Sequence, residues 1–112
     1  MNRNTRIRGR LALLAALWAA IPSLALADTV EVSQKGRKFL PDSISIKVGD
    51  VVKIRNDDEF LHHIYVTSPD FNFDSEEEPP GNSVEIKFTK AGDFNVLCRI
   101  HPKMKLSVHV SQ

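Results

Sequence analysis

The sequence predicts an all-β fold, an antiparallel β-sandwich of roughly seven short strands. Three observations carry that expectation. Apolar and polar residues alternate with a period of two in segment after segment from Asp28 onward, as strands with one buried face require. Glycine, aspartate and proline punctuate those segments. No apolar residues recur at helical spacing in the same stretch, and there is no internal repeat.

Residues 1–27 stand outside this pattern. Arg3, Arg6, Arg8 and Arg10 precede an apolar run from Leu11 to Ala20, and Ala25-Leu26-Ala27 ends the stretch. A basic start, a short apolar middle and a small-x-small end make a secretory signal peptide, cut between Ala27 and Asp28. An uncleaved anchor is the alternative, but Leu11–Ala27 contains Pro22 and Ser23 and falls short of the ~20 apolar residues of a membrane span. Export without an adjacent Arg-Arg pair implies the general secretory route, and in a bacterium the periplasm. Residues 28–112 then form one small domain. Removing residues 1–27 takes four of the 15 Lys+Arg and none of the 14 Asp+Glu, so the net charge changes from +1 to −3 over 85 residues. That balance gives no reason to expect a nucleic-acid partner, and no membrane span remains. The domain is expected to be a monomer.

The strands follow in order. Val30 and Val32 alternate with Thr29, Glu31 and Ser33; Ile44, Ile46 and Val48 alternate with Ser43, Ser45 and Lys47. Gly49-Asp50 makes a turn into Val52 and Ile54. Val84, Ile86 and Phe88 form the next apolar row, and Ala91-Gly92 turns into Phe94 and Val96. Leu106, Val108 and Val110 close the chain, with His109 on the polar face of that last strand.

One short stretch concentrates unusual chemistry. Cys98-Arg99-Ile100-His101-Pro102-Lys103-Met104 holds the single cysteine, then a histidine and a methionine at intervals of three. One cysteine cannot make an intramolecular disulfide, and a lone exported thiol is a liability unless it ligates a metal. Thiolate, imidazole and thioether form a soft donor set that suits copper, given a second histidine for a trigonal site with a weak methionine above it. Parity turns Cys98 inward with Phe94 and Val96. In Phe60-Leu61-His62-His63-Ile64-Tyr65-Val66 it turns His62 toward the core with Ile64 and Val66, and His63 the other way.

With those residues in view, the chain from Asp28 to Gln112 resembles the cupredoxins, the small blue copper proteins, and within them plastocyanin and amicyanin. The Cys98-x-x-His101-x-x-Met104 spacing is similar to the short amicyanin loop. Gly49 to His62, with Asn56 between, resembles the family stretch leading to the first copper histidine, and Ala91-Gly92-Asp93-Phe94 resembles the lead-in to the cysteine strand. The resemblance implies a Greek-key sandwich, with His62, Cys98 and His101 as equatorial copper ligands and Met104 as the axial one. It also implies an electron carrier, not an enzyme, cycling one copper ion between Cu(I) and Cu(II). The electron would leave through the exposed edge of His101, among Ile100, Pro102, Phe60 and Leu61. Transient partners would be a c-type cytochrome or a periplasmic oxidoreductase.

Two departures matter. The family usually has asparagine directly after the first histidine, tying the ligand loops together, and here that residue is His63. Arg99 and Ile100 replace the common small residue and proline. Beyond the loop, Asp70 to Asn82 forms an acidic loop ending in Pro-Pro-Gly. Its Asp74, Glu76, Glu77 and Glu78 read as solvating charge, with steering of a basic partner as the alternative. Phe71 and Phe73 are expected to plug the sandwich end.

Three other functions compete. A copper chaperone or storage module would use the same ligands and hand over metal. A structural zinc site fits poorly, because methionine is a poor zinc ligand. A thiol enzyme with Cys98 as nucleophile and His101 as base conflicts with the inward parity of Cys98.

Overall fold

The structure, a computed structural model, describes residues 26–112. The expected signal peptide therefore lies almost wholly outside the described residues. Nine strands run in order: β1 (Thr29–Gln34), β2 (Phe39–Leu40), β3 (Ser43–Lys47), β4 (Val51–Asn56), β5 (Ile64–Thr67), β6 (Asn72–Asp74), β7 (Ser83–Lys87), β8 (Gly92–Cys98) and β9 (Lys105–Ser111). They form two sheets, ordered β2-β1-β4-β7 and β3-β9-β8-β5-β6. No helix among the described residues is long and apolar enough to cross a membrane.

Alternation places the inward faces as expected. Val32, Val52, Ile54 and Ile86 from the first sheet meet Ile46, Ile64, Val66, Phe94, Val96, Leu106, Val108 and Val110 from the second in one core. Burial of such branched side chains stabilises by about 1.5–3 kcal/mol each. Val48 departs from its row: β3 ends at Lys47, Gly49 turns the chain at φ +94°, and Val48 is left 39% exposed.

The sheets are mixed where an antiparallel sandwich was expected. β1 pairs with β4 in parallel, Val32 beside Ile54, and β3 pairs with β9 in parallel, Ile46 beside Val110. The chain crosses to the second sheet as β3 before returning to the first as β4, so β4 arrives beside β1 running the same way. Alternation fixes the face a strand buries but not its neighbour. Nor does it reveal β2 and β6, which at two and three residues are too short to show a period.

One pole of the sandwich gathers several strand ends. β1 and β4 finish there side by side, with Gln34 opposite Asn56. β8 finishes where β5 begins, with Cys98 opposite Ile64. Residues just outside β5 close the gap between the sheets, because His62 forms an isolated antiparallel bridge with Glu78.

Candidate metal centre

Cys98 arrives at this pole as the last residue of β8, facing inward and 2% exposed. His62 precedes β5 and is fully buried. Its backbone is fixed by paired hydrogen bonds with Glu78, His62 N–H to Glu78 O at 3.1 Å and Glu78 N–H to His62 O at 2.7 Å. His101, half-buried, comes from the turn after β8, and Met104 N–H donates to its carbonyl at 3.0 Å, closing the loop. Met104 itself is buried in the core at the head of β9.

Three donor atoms converge. Cys98 Sγ lies 3.6 Å from His62 Nδ1 and 3.9 Å from His101 Nδ1, and the two nitrogens are 3.2 Å apart. Nitrogen and sulfur donors bond zinc, a metal of similar size, at about 2.0–2.3 Å, and three of them in a plane around one ion sit roughly 3.5–3.8 Å apart. The observed separations, 3.2 to 3.9 Å, bracket that range. These three residues could therefore hold a small metal ion, and thiolate with imidazole is a donor chemistry suited to copper.

The surroundings set the tautomers. His62 Nε2–H donates to Asp58 Oδ2 at 2.8 Å, which leaves the Nδ1 lone pair aimed into the triangle. The Asp58 carboxylate also accepts Gly36 N–H at Oδ1 (2.6 Å) and Arg37 N–H at Oδ2 (3.1 Å). Gly36 and Arg37 both have positive φ, 63° and 56°, so the loop between β1 and β2 turns consecutive amides onto one carboxylate. Burial pushes the Asp58 carboxyl up, but the His62 hydrogen bond and these two amides outweigh it and hold it below its ordinary value. Burial pushes His101 below its ordinary value.

His63 does not use its side chain to join the ligand loops. Its ring turns outward to Asp74, which also receives Arg99. The tie is made by backbone instead: Arg99 N–H donates to His63 O at 2.9 Å, and His63 N–H points at Cys98 Sγ from 3.5 Å. Both departures at His63 and Arg99 thus meet on Asp74.

Below the donors lies a buried polar cluster. Asn56 Nδ2 donates to Phe60 O and Glu78 O, its Oδ1 accepts Asp58 N–H, and Gln34 Nε2 donates to Glu78 Oε2. Gln34 Oε1 and Glu78 Oε1 are buried without a partner. Sequence reasoning missed Asp58 as the partner of His62, and Glu78 as an interior residue. The four-residue interval from Asp58 to His62 is the one signal in the sequence that could have found it. Of the acidic loop, Glu78 is buried and Asp74 is engaged, leaving Glu76 and Glu77 exposed.

A model of the cupredoxin-like domain matches residues 9–110. The chain belongs to the cupredoxin-like family. This is a family of copper-binding, electron-transport proteins. Among its relatives, the chain is 28% identical over 103 residues to the methylamine utilization protein MauL of Methylorubrum extorquens, covering 88% of this chain and 90% of that one. Amicyanin from Paracoccus versutus superposes with a TM-score of 0.68 at 27% identity, over 77% of this cupredoxin and 84% of amicyanin. The copper-containing nitrite reductase NirK of Thermus scotoductus SA-01 also superposes, with a TM-score of 0.68 at 29% identity over 75% of this chain. There the match spans only 22% of the enzyme. The likeness to NirK is one of domain, not of whole protein.

Proposed function

We propose that this cupredoxin is a type 1 blue copper electron carrier of the periplasm, in which His62, Cys98, His101 and Met104 would hold the copper ion. The convergence of Cys98 Sγ with two imidazole Nδ1 atoms at one pole of the sandwich is the observation that carries the reading. Bound copper supplies a one-electron Cu(II)/Cu(I) couple. The chain's own groups do the rest. Asp58 holds His62 in the tautomer that presents Nδ1, and a partner that fixes a ligand's ring also raises its basicity. The amide of His63 directs a weak hydrogen bond at the Cys98 sulfur, which favours the thiolate. Complete burial of His62 and Cys98 excludes water from two of the three donors. His101 alone reaches toward solvent, edge-on to Phe60 at 6.1 Å between centroids, and provides the path by which an electron enters and leaves.

A donor set supplied wholly by the chain leaves no coordination position for a substrate, which favours a carrier over an enzyme. Residues 1–27 act as the export signal, and residues 28–112 are the working domain, a monomer. Its partners are transient redox proteins, a c-type cytochrome or a periplasmic oxidoreductase.

The test is to add Cu(II) to the purified protein and record visible absorption and EPR. An intense blue band with narrow copper hyperfine splitting is expected, altered in Met104→Ala. A colourless complex would overturn the assignment. Rapid loss of Cu(I) to a mild chelator would turn it toward copper delivery.

A further inference from the structure

We propose that the cationic rim around His101 is a docking surface for a redox protein that presents carboxylates around its own electron-transfer edge. The inference rests on the reading of His101 as the electron path, and it names the partner's chemistry. Ile100, His101 and Pro102 form the floor of a shallow concavity whose walls are Arg37, Lys38 and Lys103. Ile100 is 44% exposed, and Phe60 beside it 42%. The Arg37 guanidinium lies over the Phe60 ring at 4.4 Å, which holds its charge at the edge of the apolar floor. An adjoining groove adds Lys105 to the same cations, with Asp42 as its one carboxylate.

The other charges near this pole are already engaged or lie aside. Arg99 stacks over Tyr65 at 4.0 Å and pairs with Asp74. Asp58 is turned inward to His62 and the Gly36 and Arg37 amides. Glu59 is exposed on the neighbouring turn but does not line the concavity. Residues 28–112 carry 11 Lys+Arg against 14 Asp+Glu, so this local excess of cations runs against the charge of the domain. An apolar floor with a cationic rim fits a partner whose own apolar edge is ringed by carboxylates, since opposite rims steer encounter and fix register. Of the four carboxylates that could have steered a basic partner, Glu78 is buried and Asp74 is paired, while Glu76 and Glu77 are exposed but do not line the concavity.

The probe is hexa-L-glutamate, titrated into the 15N-labelled full chain at low and at raised ionic strength. Amide shifts confined to residues 35–38 and 99–105, weakening with salt, are expected. The Lys38→Glu/Lys103→Glu variant, its fold checked by the same spectra, should bind the peptide at least about tenfold more weakly. In the copper-loaded protein it should slow oxidation by hexacyanoferrate(III) and speed oxidation by a tris(phenanthroline)cobalt(III) cation. Shifts mapping to other faces, or peptide binding indifferent to the double variant, would overturn the proposal. So would equal or stronger binding of the same residues to phosphatidylglycerol vesicles, which would mark a lipid surface. Peptide binding needs no copper, so the two readings fail separately. A protein that stays colourless yet binds the peptide here loses its metal assignment, and a blue protein that does not bind it loses only the docking surface.

Discussion

The two poles of this sandwich are built from opposite materials. At the His62 pole, Gln34 of β1, Asn56 of β4 and Asp58, His62 and Glu78 from the loops are all buried polar side chains joined by hydrogen bonds. At the other pole three phenylalanines close the core: Phe71 stacks on Phe88 at 5.0 Å between centroids, with Phe94 at 5.7 Å from one and 5.6 Å from the other. Buried polar groups contribute little net stability even when satisfied, and they are expensive when one partner is missing. Aromatic packing contributes stability but orients no donor atom. The phenylalanine pole should therefore stabilise the fold at any pH, while the histidine pole governs how well the protein holds copper and makes its stability depend on pH.

The sharpest break of that division is Phe88→Ala. Phe88 is fully buried between Phe71 and Phe94, and removing such a ring costs about 3–5 kcal/mol. Denaturant unfolding of the metal-free variant should show this loss, while the folded fraction keeps its copper colour and affinity. Unchanged stability, or a changed visible band, would mean that the poles are not independent.

Glu78 offers a second test, in pH. Burial raises its pKa from 4.5 to about 7, only partly offset by the Gln34 hydrogen bond. The folded state therefore holds a proton that the unfolded chain releases sooner. Its stabilising contribution is complete below pH 4.5, declines as pH rises toward 7 and is gone above it. The amplitude is up to about 3 kcal/mol. Glu78→Gln keeps the site neutral and should flatten this part of the stability curve of the metal-free protein. A parallel curve in the variant would place the titration elsewhere.

At the histidine pole itself, Asp58→Ala should weaken both the metal site and the fold, because it leaves a buried imidazole N–H without its acceptor. It removes the acceptor of His62 Nε2–H together with the anchor of Gly36 and Arg37. Loss of a group that orients a ligand typically lowers metal affinity 10–100-fold, on the order of 1.4–2.7 kcal/mol. Competition against a copper chelator would measure it. An unchanged affinity would show that the imidazole is held by packing alone.

The contrast also explains what could be read from the chain. Face assignments were legible, because period two is imposed by burial: Cys98, His62, Phe94 and Val96 all point where parity puts them. Phe71 was expected to plug one end and does, against Phe88. Neighbour relations were not legible. The parallel β1–β4 pair and the Glu78–His62 bridge join residues 22 and 16 positions apart by hydrogen bonds between backbones, which carry no side-chain signature. Glu78 was expected to be solvating charge and is buried, and Asp58 drew no expectation at all. Each lies in a run of carboxylates, and only the fold distinguishes the member turned inward.

His63 is the smallest test and the one that bears most directly on how the ligand loops are joined. Its ring faces Asp74, a carboxylate held below its ordinary pKa first by the Glu76 amide and then by the His63 hydrogen bond. Both side chains are partly exposed, 23% and 44%, so solvent screening leaves the pair contributing little. The contacts that matter at the centre, His63 N–H to Cys98 Sγ and Arg99 N–H to His63 O, belong to the backbone and survive any substitution that keeps the local chain path. His63→Ala should therefore leave the visible band nearly in place and lower stability only slightly. A large shift of the band would mean that the ring itself, and not the backbone, holds the thiolate strand to the first histidine.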